Sequence, residues 1–128
     1  MKKVILLIIP VSIVLGFNVA LSNQNEEECI VGTWISEDDP NSKKIFTKEG
    51  KCYDYYENVQ DETFNYSIER TSPLCDEEVP VGKNFSYLKL VNSDDTNDYY
   101  CYEIISLDEE ILQIRFFNRP GYLSFKKE

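Results

Sequence analysis

The chain has 128 residues, 42% of them hydrophobic, with a formal net charge of −10 at pH 7. So acidic a surface argues against nucleic acid and anionic lipid as partners, because both need basic patches. The sequence contains no histidine, which removes the Ser-His-Asp and Cys-His nucleophile systems and the usual imidazole metal ligands.

Taken in chain order, the first segment reads MKKVILLIIPVSIVLGFNVALSNQ. Lys2 and Lys3 precede an apolar run from Val4 to Phe17. Pro10 and Ser12 interrupt that run, and it is shorter than the ~20 residues that span a bilayer. The layout predicts a signal peptide over residues 1–22, cleaved after Ala20-Leu21-Ser22. The protein is then secreted or periplasmic, with no stable membrane insertion after cleavage. Cys29 follows Glu26-Glu27-Glu28, well past the apolar run, and is a poor site for lipid attachment.

The remainder, over residues 29–127, reads as one small all-β domain. Short runs rich in Ile, Val, Tyr, Phe and Thr predict strands near 30–36, 43–48, 51–57, 63–70, 85–91, 99–106, 111–117 and 121–126. Glu49-Gly50 suits a two-residue hairpin, which would set Phe46 opposite Tyr53. Asp108-Glu109-Glu110 and Asn118-Arg119-Pro120-Gly121 are further turns, and residues 71–84 form the longest loop.

Period-two alternation predicts the inward set Trp34, Phe46, Tyr53, Tyr55, Phe64, Tyr66, Ile68, Leu88, Leu90, Tyr102, Ile104, Leu112, Ile114, Phe116, Leu123 and Phe125. The opposite face receives Lys44, Asn65, Ser67, Glu69, Lys89, Glu103, Gln113, Arg115 and Ser124. One apolar face per strand with short antiparallel links predicts an eight-stranded up-and-down barrel, closed or half-open. A β-sandwich is the alternative.

Four cysteines in an exported domain point to two disulfides, with three possible pairings. Their gaps exceed twenty residues, far from the C-x₂₋₄-C spacing of zinc sites. On an up-and-down meander the first and third strands start at the same end. Cys29 and Cys52 stand near those starts, which predicts Cys29–Cys52, and the long loop carries Cys75 toward the sixth strand for Cys75–Cys101.

Gly32-Thr33-Trp34 opens the first strand, and the string continues as KKIFTKEGKCYDYY, FNYSI, YLKL and CYEIISLDEEILQI. This pattern resembles the compact bacterial lipocalin-like (calycin) domains, over about residues 29–127. The resemblance implies a barrel whose closed end is packed by Trp34 after Gly32. It also implies a basic residue from near the C-terminus lying across that ring, a part for Arg115 or Arg119. The chain is shorter than a typical lipocalin and shows no C-terminal helix pattern, which argues against a large cavity.

Tyrosines and phenylalanines are the strongest functional signal. Aromatics at alternate positions line a pocket or fill a small barrel, and eight strands sit at the threshold between the two. With the resemblance, this predicts a small apolar or aromatic ligand held by Phe46, Tyr55, Phe64, Tyr66, Tyr102 and Phe116. Gly32 and Trp34 are structural in this reading.

The alternative is an interaction module or inhibitor whose acidic surface meets a basic protein. Hydrolysis by a carboxylate pair needs one desolvated acid; Asp54, between tyrosines, is the nearest candidate, so no enzyme activity is expected. Asp94-x-Thr96-x-Asp98 places oxygens as a calcium loop does but lacks that loop's glycine and closing glutamate. No metal or cofactor is expected.

Overall fold

The computed structural model describes residues 25–117 and 119–128; the expected signal peptide lies outside the described residues. A short helix α1 (Glu26–Cys29) leads into eight strands: β1 (Gly32–Ser36), β2 (Ser42–Phe46), β3 (Lys51–Tyr56), β4 (Val59–Glu69), β5 (Tyr87–Asn92), β6 (Tyr99–Leu107), β7 (Ile111–Phe116) and β8 (Tyr122–Lys127). Each strand pairs antiparallel with the next, and β8 returns to β1 through Trp34↔Lys127, Ile35↔Lys126 and Ser36↔Phe125. The barrel is therefore closed, which excludes both the half-open form and the sandwich. Closure leaves no free edge to template aggregation.

The interior is filled largely by the expected side chains. Trp34, Phe46, Phe64, Leu88, Leu90, Tyr102, Ile104, Leu112, Ile114 and Phe125 are buried together, with Tyr66, Ile68, Phe116 and Leu123 packed against them. Strand β3 departs from expectation. Phe46 pairs with Cys52, not Tyr53, because the β2–β3 turn has three residues, Lys48-Glu49-Gly50. Thr47 N donates to Lys51 O at 2.8 Å, and Gly50 N to Thr47 O at 3.2 Å. Gly50 adopts φ +87°, the left-handed residue that a three-residue hairpin loop requires. One residue of slip moves a whole strand to its other face. Cys52 and Asp54 therefore point inward, and Tyr53 and Tyr55 outward. Lys43 and Tyr55 are paired on the outer face, with Lys43 Nζ 5.4 Å from the ring centroid. Lys44, expected outside, shares the inner face with Phe46.

The same register accounts for the cysteines. Cys75 and Cys101 form the expected disulfide. The expected Cys29–Cys52 bridge is not formed. Cys52 sits between Phe46 and Phe64 on the inner wall as a fully buried free thiol. Cys29 belongs to α1, where its carbonyl accepts from Lys127 Nζ at 3.0 Å.

Helix α1 is too short to leave a periodic signature in the sequence. Asn25 caps it, accepting from Glu27 N at 2.9 Å, and Glu26, Glu27 and Glu28 in its first turn suit the positive helix end. Arg70 holds Glu26 and Glu27. The segment then plugs one barrel end with Ile30, which is fully buried. Trp34 Nε1 donates to Ile30 O at 2.8 Å, which satisfies the indole in the core. The base across Trp34 is Lys127, its Nζ 5.3 Å from the ring centroid, and not Arg115 or Arg119. Arg115 faces outward and pairs with Glu103, and Arg119 lies at the other end of the barrel. Gly32 makes room for that lysine: a Cβ there would come within 2.6 Å of Lys127 Cε.

Candidate functional site

The end opposite the Trp34 plug carries the links between β1 and β2, β3 and β4, β5 and β6, and β7 and β8. Here the wall is incomplete. In β6, Tyr99, Tyr100 and Cys101 pair with Val91, Leu90 and Lys89 of β5. On its other side, the pairing of β6 with β7 stops at Tyr102↔Phe116, because the chain turns away at Phe117. A cleft of about 490 Å³ opens beside the unpaired stretch of β6.

Tyr100, Tyr102 and Phe116 reach the cleft from the inner face, and Tyr99 and Phe117 flank it from the outer side. Glu77, Arg119 and the Cys75–Cys101 disulfide complete the lining. The disulfide draws the long β4–β5 loop over the outside of the sheet. Leu74 of that loop and Tyr87 of β5 are buried, with the Tyr87 hydroxyl donating to Pro80 O of the loop. Tyr87 meets Phe117 edge to face at 5.6 Å between centroids, so the loop also fixes one wall of the cleft.

Near the Tyr100 and Tyr102 hydroxyls, but outside the cleft lining, lies a charged cluster. Lys44 Nζ contacts both Asp54 oxygens, at 2.9 and 3.0 Å. A bulge in β4 sets Asp61 and Glu62 opposite Asp54. Asn92 Nδ2 donates to Glu62 and Asp98 at 3.0 Å each. Burial, with Asp61 and Asp98 nearby, holds the Glu62 carboxyl above its ordinary value. Burial, reinforced by Asp54, pushes the Tyr102 hydroxyl up to about 12. Burial likewise raises Tyr100, helped by its hydrogen bond to Asp98. Both hydroxyls are therefore neutral hydrogen-bonding groups at physiological pH.

Chemically, the site offers aromatic area, neutral hydroxyls and a guanidinium. The Cys52 thiol is pushed up to about 12 by burial and is protonated at neutral pH, so it is a poor nucleophile there. Asp54, the carboxylate nearest to a catalytic role in the sequence, is engaged by Lys44.

Of the six residues expected to hold ligand, Tyr102 and Phe116 line the cleft. Phe46 and Phe64 are buried in the core. Tyr66 packs edge to face on Phe46 and donates to Thr47 O at 2.7 Å, toward the plugged end. Tyr55 is on the outer face. Tyr99, Tyr100, Phe117, Glu77 and Arg119 also line the cleft and stand outside the expected ligand set. The run Tyr99-Tyr100-Cys101-Tyr102 was the available signal, but strict alternation discards every second residue of it. A cleft at a strand edge uses both faces.

The chain matches no family model, no curated protein and no solved structure. Among the described residues, no helix is long and apolar enough to cross a membrane. Nor does any group of three or more Cys, Asp or Glu side chains among them form a possible metal site.

Proposed function

We propose that this chain is an exported, non-catalytic binding domain that takes a small ring-bearing or apolar ligand in the cleft beside β6. The observation that carries this reading is the aromatic lining: Tyr99, Tyr100, Tyr102, Phe116 and Phe117 around about 490 Å³, a volume within the range of small-molecule sites. The lipocalin-like pattern around Gly32 and Trp34 supports it, and the disulfide suits an oxidising compartment. Burying roughly 200 Å² of apolar ligand surface yields about 5 kcal/mol before association costs. Apolar burial alone thus corresponds to a dissociation constant of about 0.2 mM before those costs.

Titration of the signal-free protein with the uncharged probe N-phenyl-1-naphthylamine tests the proposal. Saturable binding, weakened about tenfold by Tyr102→Ala or Phe116→Ala, is expected. If no aromatic or fatty-acid probe binds below about millimolar, the reading fails.

A second reading draws on the same rim. Glu37, Asp38, Asp39, Asp94 and Asp95 lie in links at the same barrel end as exposed Tyr56, Tyr99 and Tyr100, a combination suited to a basic protein surface. Its mark is capture of a basic protein that is lost as salt is raised.

A further inference from the structure

We propose that the cleft selects an organic anion, a ring-bearing or apolar carboxylate whose head group is held by Arg119. This rests on the cleft-binding reading above and adds the chemical class of the ligand.

The chain has three arginines. Arg70 is held by Glu26 and Glu27, and Arg115 by Glu103. Arg119 has no carboxylate partner among the described residues, although acidic residues outnumber basic ones by 23 to 13. Its guanidinium lies over the Phe116 ring instead, with Cζ 3.9 Å from the centroid. That contact holds the head group beside the cleft, and a guanidinium not engaged by a carboxylate can meet one through two parallel hydrogen bonds.

Of the lysines near this end, Lys44 is occupied by Asp54, Lys43 Nζ lies 5.4 Å from the Tyr55 centroid on the outer face, and Lys89 Nζ lies 6.0 Å from the Tyr99 centroid; none of them is in the cleft lining. Arg119 is therefore the uncommitted positive group of the cleft lining, next to rings that suit an apolar body. The overall negative charge does not reverse this choice. At physiological salt the field of the rim carboxylates decays over about 8 Å, whereas a bidentate contact acts at hydrogen-bond distance. Glu77, in the same lining, disfavours the anion elsewhere in the cleft and so orients it toward Arg119.

Three ligands with one ring system test this: 2-naphthoate, 2-naphthamide and 2-(aminomethyl)naphthalene, titrated calorimetrically at pH 7.5 and 0.15 M salt. A charge-assisted bidentate contact at an exposed site predicts that the anion binds about tenfold tighter than the amide. Arg119→Gln should bring that ratio to about one, and Arg119→Lys should leave it intermediate, since charge survives but the planar fork does not. An amide that binds as well as the anion, a preference for the ammonium, or an unchanged ratio in Arg119→Gln overturns the anion assignment while leaving cleft binding intact. If none of the three binds below about millimolar, both readings fall.

Discussion

At the scale of single residues, the barrel interior holds two groups that titrate far from their ordinary range. Cys52 and Tyr102 are each pushed up to about 12, mainly by burial. Both are neutral when protonated, so the folded state retains their protons after the unfolded chain has released them. The stability tied to them is complete below the unfolded values, near 9 for the thiol and 10 for the phenol. It is lost as pH rises through about 12. Each pH unit of that window costs about 1.4 kcal/mol per group, so several kcal/mol disappear between pH 9 and 12. Urea midpoints measured across this range should fall steeply. Cys52→Ala, although less stable at pH 7, should show a shallower decline starting nearer pH 10. An unchanged slope in that variant would mean that Cys52 is not the buried, protonated thiol described above. The thiol itself was visible in the sequence. Its environment was not, because Cys52 and Asp54 alternate with Tyr53 and Tyr55, and hydrophobicity alone favours turning the tyrosines inward.

At the scale of elements, that ambiguity was resolved by one turn. Glu49-Gly50 reads as a two-residue loop, whereas Lys48-Glu49-Gly50 closes the hairpin with Gly50 at φ +87°. Both loops use the glycine, so local chemistry does not separate them. What separates them is the pairing of Lys44 with Asp54 across the inner face, a contact between strands that alternation along one strand does not reveal. The other strands were legible because their two faces differ sharply, as in Tyr66-Ser67-Ile68-Glu69. The long β4–β5 loop is a different case, since its position comes from a covalent tie. Cys75 and Cys101 are separated by 26 residues, and a loop of that length predicts about 3.5 kcal/mol of stabilisation by the chain-entropy estimate. The loop also backs the outer wall of the cleft through Tyr87 and Phe117. Replacing both cysteines by serine should therefore lower stability by about 2–4 kcal/mol and weaken aromatic probe binding, while far-UV circular dichroism still reports the barrel. Unchanged probe affinity in a folded double variant would separate the loop from the site.

At the scale of the whole molecule, the closed barrel was readable because eight amphipathic strands with short links have few ways to hide eight apolar faces. The cleft was not, since it arises where β7 stops pairing before β6 begins, a mismatch of strand lengths that no local pattern encodes. Charge is the other molecular property, and it leads to the last prediction. With 23 acidic against 13 basic residues, the folded chain crowds like charges, and compactness costs self-repulsion. Salt shortens the reach of that repulsion from about 30 Å at 0.01 M to about 8 Å at 0.15 M. The ion pairs that salt would weaken, such as Arg70 with Glu26 and Glu27, are partly exposed, and exposed pairs contribute little. Repulsion should therefore win, and the melting temperature should rise with sodium chloride between those concentrations. A gain of about 1 kcal/mol corresponds to roughly 4–8 °C for a domain of this size. Acid should act in the same direction at first. The raised Glu62 pKa gives a contribution that is complete below its ordinary 4.5 and fades as pH climbs through the raised value, so acidifying from pH 8 toward 4.5 should add it. Further acidification protonates Glu27, whose carboxyl is held low by its hydrogen bond from Arg70, and that contribution is then lost. The salt gain should shrink at pH 5, where less charge remains to screen. A melting temperature that falls with salt at pH 8 would show instead that specific ion pairs outweigh the net charge.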